Sequence, residues 1–427
     1  MRYHPAKQLS LFLSIVIGCL VLGCSNSEGV DYAGWEYVAE EDEVSAAESF
    51  YDSKVDYLPI DDSEYPYAGI PRIVIETLNH QQIKDRETEI PAKLQVWGEK
   101  APESEVMDLT IRGRGNSTWN YPKKPYAIKF NEKQSFLDMP KAKKWVMLAN
   151  YRDRTLIRNA VAFELARHTS LKWTPSGKFA DVFLNGKFLG NYYICEKIEV
   201  KKNRLELETN GFLIEFDANY DEDYKFRSSY KNFPINIKHP NEPSNDEFVH
   251  IQSYIDTIEC ILYGSCLNVN IQKYLNLHSA ASYWIVQEVS QNEEIIHPKS
   301  LFAYKDSNLN IGPVWDFDWQ TFTSLKKGLR NKNYFLLDSL RKNRTFIQIV
   351  KQEWNTSKHT IKSLTNFIDS ISAYTFQSNE INHQLWPINT SSGHCGDETI
   401  SLDSAIHMLK TVFLNRTAEL DSLFNAL

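Results

Sequence analysis

Asp316 and Asp318 stand one residue apart in the run Gly312-Pro313-Val314-Trp315-Asp316-Phe317-Asp318-Trp319. On an extended segment, alternation aims both carboxylates at one face, a plausible way to hold a hard cation such as Mg²⁺ or Mn²⁺ on oxygen. An isolated Asp-x-Asp is more often a solvated turn. The large apolar neighbours Val314, Trp315, Phe317 and Trp319 argue for burial instead, and buried carboxylates need a metal, a cation or donors. A second group, Arg112-Gly113-Arg114-Gly115-Asn116-Ser117-Thr118-Trp119, is a cationic Gly-rich turn. Its glycines let backbone amides approach an anion, and arginine forks match phosphate oxygens, although such turns are common. In the strand Lys123 to Phe130, Tyr126, Ile128 and Phe130 share one face and Lys129 takes the other. A helix capped by Asp153 or Thr155 and running to about His168 puts Glu164 on or beside the apolar stripe of Ile157 and Val161. A carboxylate there wants a cation, and an ion pair between Lys129 and Glu164 is the expectation. The plainer readings are an exposed strand lysine and a glutamate at the edge of its stripe. Phosphate donors, a lysine held by a glutamate and metal-binding acids are together what phosphoryl transfer requires.

The elements that must position these groups fall in two halves. The 427 residues, 42% apolar and 24% charged, can bury a large core. Of the net charge of −8, residues 25–70 supply 13 acids against the single Lys54, so the remainder is close to neutral and does not repel an anionic ligand. There is no basic stripe, zinc-spaced Cys/His set or internal repeat, which excludes the usual nucleic-acid binders. Arg2 and Lys7 precede an apolar run ending Val21-Leu22-Gly23-Cys24, too short to span a bilayer comfortably and read as a signal peptide over residues 1–23. The ending resembles a bacterial lipobox, which implies lipidation at Cys24. Residues 24–70 then form an acidic tether whose later aromatics lie against the folded part. From Arg72 to Asp217 the pattern is rich in period-two strands, with an Asn185-Gly186 hairpin. Beyond about 240 it turns mainly helical, starting at a Ser244 to Glu247 capping box. Cys260 and Cys266 bracket a short turn and can form a bridge or remain two thiols.

Taken together, residues 112–119, Lys123 to Phe130, Asn150-Tyr151-Arg152-Asp153, the Leu184 to Gly190 hairpin and Val314 to Trp319 resemble the CotH kinase family over roughly residues 71–325. The resemblance implies an α+β, atypical protein-kinase-like domain over 71–427, with a strand-rich N-terminal lobe (about 71–196) and a mainly helical C-terminal lobe (about 197–427). Its studied members phosphorylate secreted proteins using ATP and a divalent metal. By resemblance Asp316 is the metal-binding aspartate and Asp318 its acidic neighbour. Lys129 is the nucleotide-contacting strand lysine, Glu164 its helical partner, and Arg112 and Asn116 belong to the phosphate-facing Gly-rich motif. The backbone at Tyr193 to Glu196 would join the lobes and meet an adenine edge. Counting back from Tyr304 places Asn292-Glu293-Glu294 where the family carries its catalytic aspartate. No aspartate lies between Glu288 and Lys305, so Asn292 and Glu294 are the catalytic candidates. Lys299 sits near the position of a metal-holding Gln or Asn of the family.

The function expected from these readings is transfer of a phosphoryl group from ATP-Mg to Ser/Thr hydroxyls of exported proteins. The protein would be a monomer, lipid-anchored in the cell envelope at the outer membrane or cell surface. The alternative is a catalytically impaired surface lipoprotein that serves as a binding or scaffold module. A glycan hydrolase built on paired carboxylates has no need of the Gly-rich turn and is the weaker third reading.

Overall fold

A computed structural model describes residues 39–427 apart from 55–56, 58–59, 267–268, 297, 325 and 389–394, and residues 47–427 form one compact unit. The expected signal peptide and Cys24 lie outside the described residues. The first element, helix α1 (Ala39–Asp52), is followed by seven strands: β1 (Arg72–Thr77), β2 (Ile90–Trp97), β3 (Met107–Gly113), β4 (Tyr126–Phe136), β5 (Met139–Leu148), β6 (Gly177–Leu184) and β7 (Lys187–Glu196). They close into a barrel in the order β1-β2-β3-β4-β5-β7-β6.

Closure depends on one parallel pairing, Arg72 to Ile75 of β1 against Asp181 to Leu184 of β6. Strands with a single apolar face, such as β3 with its strict buried/half-buried alternation, leave no unpaired edge once the sheet meets itself. Ile73, Ile75, Leu94, Leu109, Ile111, Ile128, Phe130, Trp145 and Met147 fill the interior. Val74, on the outer face of β1, is covered with Phe183 and Phe188 by Tyr57, Ile60 and Tyr65. The Tyr51 hydroxyl donates to Leu109 O at 2.9 Å, and Lys93 Nζ donates to Tyr51 O and Ser53 O at 2.7 and 2.6 Å. Tyr51, Tyr57 and Tyr65, ahead of Arg72, thus lie along the barrel.

Between β5 and β6 runs helix α2 (Arg158–Arg167). After the barrel a second sheet forms, with strand order β12-β11-β8-β10-β9, from β8 (Phe212–Phe216), β9 (Lys225–Arg227), β10 (Pro234–His239), β11 (Leu301–Lys305) and β12 (Leu309–Ile311). Helices α3 (Asn245–Tyr263), α4 (Leu277–Ser290), α5 (Leu337–Leu340), α6 (Arg344–Lys362), α7 (Leu364–Leu385) and α8 (Leu402–Asn425) complete the chain. The Ser244 box is present: Glu247 N–H donates to Ser244 Oγ at 3.3 Å, and Ser244 N–H to Glu247 Oε2 at 2.8 Å. Asn185 and Gly186 both take positive φ, 51° and 71°, as the hairpin turn between β6 and β7 demands. Cys260 and Cys266 form a disulfide.

The expectation of a kinase-like division into a strand lobe and a mainly helical lobe is corrected by this topology. The first half is a closed seven-stranded barrel, and the second half is organised on a five-stranded sheet of its own with helices packed on it. Phe212, Ile214 and Phe216 on β8 share one core with Ile251, Ile255 and Ile258 of α3 and with Trp284, Ile285 and Val289 of α4. Short strands such as β9, three residues long, carry too little period to announce a sheet in sequence.

Candidate active site

Where the barrel meets the second half lies a cleft of about 740 Å³. The Asp-x-Asp segment forms part of its wall. It is not extended as expected: Asp316 takes φ 68°, so the chain turns there and the simple alternation argument fails. Both carboxylates nevertheless line the cleft, because Val314 and Phe317 are fully buried and Trp315 stacks on Phe163 of α2 at 5.7 Å. The turn is clamped from α2, where Asn159 Oδ1 accepts the Phe317 N–H at 2.8 Å and Asn159 Nδ2 donates to Asn150 Oδ1 at 3.0 Å. Asp153 in turn starts the helix. It accepts from Thr155 N–H at 2.9 Å and Arg158 N–H at 2.8 Å and pairs with the Arg158 side chain, which also bonds Asp397. Asn150-Tyr151-Arg152-Asp153 therefore acts mainly as the bracket that holds the acidic turn in place.

Glu294 reaches the same cleft from the loop after α4. Asn292 Oδ1 accepts the Glu294 N–H at 3.0 Å, and Asn292 Nδ2 lies 3.5 Å from Asp316 O, so Asn292 is a bracket between the loop and the acidic turn and does not line the cleft. The loop is fixed from behind. Glu288 accepts from Arg330 N–H, Asn331 N–H and the Arg416 guanidinium at 2.8, 2.8 and 2.6 Å, and Arg330 pairs with Glu293. Burial, with Asp316 and Asp318 alongside, pushes the Glu294 carboxyl well above the usual range, and burial with Asp316 does the same to Asp318. Glu294 Oε2 is buried without a hydrogen-bond partner.

Opposite stands the Gly-rich turn. Arg86 Nη1 donates to Gly115 O and Asn116 Oδ1, both at 2.9 Å, and Arg112 Nη1 bonds Arg86 O. Gly115 has φ 84°, and a Cβ there would collide with Thr118 Oγ1. Only glycine serves at that point. Arg112 and Asn116 both line the cleft, and so does Arg114, whose guanidinium lies 5.8 Å over the Trp315 ring and feels the charges of Asp316 and Asp318. Nothing local in the sequence distinguishes Arg114 from Arg112 within their turn. Its ring partner is 201 positions away in the chain.

The expected pairing of Lys129 with Glu164 does not form. Lys129, on the outer face of the barrel, pairs with Glu89 at 3.2 Å, while Glu164 pairs with Arg167 and His168 at 2.7 and 3.5 Å on its own helix. Neither lines the cleft. The strand period places Lys129 opposite the packed face correctly, but in a closed barrel that face looks outward. The cations that do face the cleft are Arg86, Arg112, Arg114, Lys123, Lys197, Lys238 and Lys299. Lys123 is engaged by Ala149 O and Asn191 O. Exchange of Lys129 for alanine is accordingly expected to change nucleotide affinity less than twofold by calorimetry, and stability by no more than about 1 kcal/mol, the ceiling for a surface pair.

Among the described residues no group of three or more His, Cys, Asp or Glu is arranged as a metal cage. Mg²⁺ does not require one, since it binds through one or two carboxylates together with waters and substrate phosphates. A divalent ion suits the cleft on an observation independent of that: carboxyl groups crowd where burial opposes their charge, and one oxygen of Glu294 lacks any donor. Asp316 and Asp318 are the residues that would hold it.

The family model described as CotH kinase protein matches residues 111–420. No curated protein matches the chain.

Proposed function

From the premise that the chain belongs to the CotH kinase family, we propose that its cleft binds ATP with a divalent cation and transfers a phosphoryl group to Ser/Thr hydroxyls of exported proteins, from a lipid-anchored position in the cell envelope. The observation that carries this reading is the opposition, across one cleft, of the cationic Gly-rich turn and the crowded carboxylates of Asp316, Asp318 and Glu294. Arg112, Arg114 and the backbone about Gly115 supply donors for phosphate oxygens. Ala127 and Val146 of the barrel and Ile198 and Phe302 beyond it also line the cleft and offer an apolar slot for a base. A bound cation would neutralise charge on the phosphates. The chain's own residues then position the acceptor hydroxyl and receive its proton, Glu294 being the carboxyl available. Incubation of the purified protein with γ-labelled ATP, Mg²⁺ or Mn²⁺ and a Ser/Thr-rich acceptor tests this. Label on the acceptor is expected, and its absence with every metal tried would contradict the reading.

A second reading is favoured by Glu294 itself. A carboxyl whose pKa is raised by burial and by two neighbouring acids is harder to ionise for proton acceptance, and it stands where the family carries an aspartate. In that case the protein binds its ligand and serves as a module with little or no transfer. Either way, a bound cation would counter the influences that raise the Glu294 and Asp318 carboxyls. An acid whose pKa is raised on folding contributes stability at low pH that is lost as pH rises through the folded value. The apo protein should therefore lose stability as pH rises above the ordinary carboxyl range, while ATP-Mg affinity rises in the same direction. Melting curves with and without ATP-Mg should diverge towards alkaline pH. Parallel curves would contradict the assignment.

A further inference from the structure

Lys197 follows β7 directly, and both of its chain neighbours are engaged. Glu196 accepts the Ser176 N–H at 2.8 Å and bonds Arg204, while Ile198 packs with Leu205, Leu213 and Phe302. Lys197 is half-buried and lines the cleft. Among the described residues its ammonium makes no hydrogen bond or ion pair. The charges that act on it most are cationic, Lys144 on β5, Lys238 on β10 and Arg112 at the end of β3, with Glu199 as the acid among them, while Glu215, Asp217, Asp221 and Glu222 line the same cleft. Lys238 is itself engaged with Glu215 at 3.4 Å and with Glu222, and burial raises Glu215 to about 7. Arg112 spends only Nη1 on backbone carbonyls, which leaves the rest of its fork free. A half-buried ammonium with no bonded carboxylate is unfavourable unless an anion completes it. Burial and the neighbouring cations press its pKa down to about 8.

We propose that Lys197, with Arg112 and Lys238, forms the seat of a polyphosphate chain and takes the part that Lys129, on the outside of the barrel, cannot. The proposal rests on the nucleotide-binding reading of the cleft and makes it specific. A planar arginine fork beside two point-charge ammonium groups suits several phosphoryl oxygens in a row better than it suits one carboxylate. The seat lies beside the apolar slot of Ile198 and Phe302, so a nucleoside di- or triphosphate could engage both.

Calorimetric titration of the purified protein with inorganic tripolyphosphate, and separately with ATP, tests the seat. Lys197→Met should weaken tripolyphosphate at least tenfold. Wild-type affinity should fall as pH rises through about 8, where the ammonium loses its proton. In Lys197→Arg, charged throughout, that fall should disappear, and this variant keeps the test open if Lys197→Met fails to fold. Glu215 and the phosphate titrate alike in wild type and Lys197→Arg, so the difference between their profiles isolates Lys197. Tripolyphosphate bound equally by Lys197→Met, or the same alkaline decline in Lys197→Arg, overturns the seat. If ATP binds but depends on Lys197 in neither way, the seat falls and the nucleotide reading stands. If tripolyphosphate binding depends on Lys197 and ATP does not bind, the seat stands and the nucleotide reading falls. If neither ligand binds, both fall.

Discussion

Replacing Asp316 with asparagine is expected to remove metal-dependent ATP binding and transfer altogether while making the ligand-free protein more stable. Asp316 occupies the left-handed region at φ 68°, which asparagine tolerates as well as aspartate does, so backbone strain should not change. Its effect is electrostatic in two directions: it lends a counter-charge to the buried Arg114 but opposes two neighbouring acids, and the second effect is expected to dominate. The Asp316 charge raises the pKa of both Glu294 and Asp318. Each unit of such a shift corresponds to about 1.4 kcal/mol between protonation states, so relief of even one unit should appear as a higher melting temperature at pH 8. Substitution at Asp318 should weaken ATP-Mg binding less if it only assists. Transfer assays and melting curves on the two variants distinguish the cases. A destabilised Asp316→Asn protein, or one with full Mg²⁺-dependent activity, would remove Asp316 from the centre of the account.

The second large effect is expected far from any ligand. Arg158 is fully buried, with Asp153 and Asp397 as its ion-pair partners, and those two acids are buried as well. Removing one partner of a buried ion pair costs roughly 3–5 kcal/mol, because the other charge is left without compensation. Arg158→Met should therefore approach global unfolding in a domain of ordinary stability. It should also release the α2 end that holds Asn159 against Phe317. The pH dependence has a definite sign. Burial already raises Asp397 to about 6, and loss of the guanidinium removes a lowering influence, so its pKa climbs further. The penalty should be smallest near pH 5, where Asp397 can bind a proton, and should grow as pH rises past 6. Urea melts of the variant at pH 5 and pH 8 would show this, and a pH-independent loss would contradict the charge argument.

What could be read in the sequence was what local pattern encodes. The Asp-x-Asp turn announced itself through its apolar flanks, the Gly-rich turn through its glycines, and the α3 cap and the β6–β7 hairpin through motifs four and two residues long. Burial of Val314 and Phe317 and the cleft positions of Asp316, Asp318, Arg112 and Asn116 accord with those patterns, whereas Glu294 came only from the family resemblance. Pairings distant in the chain could not be read. The β1–β6 contact that closes the barrel joins Arg72 to Asp181, and without it an outward-facing Lys129 looks as if it could reach α2. Periodicity told which side of β4 was packed, but not what lay on the other side. Arg114, Lys197 and Lys238 gather on one cleft from three separate segments, and the Asn159–Phe317 and Arg158–Asp397 contacts span 158 and 239 residues. Such groupings exist only once the two sheets have been placed.

The most direct test of the central claim, that the cleft holds ATP through a cation at Asp316, is the electron paramagnetic resonance signal of Mn²⁺–ATP in solution during titration with the purified protein. With ATP present, the signal of unbound Mn²⁺–ATP should fall to a 1:1 endpoint in the wild type and in Lys129→Ala, and remain unchanged in Asp316→Asn. An equal fall in Asp316→Asn, or no fall in the wild type at any pH between 6 and 9, would contradict it.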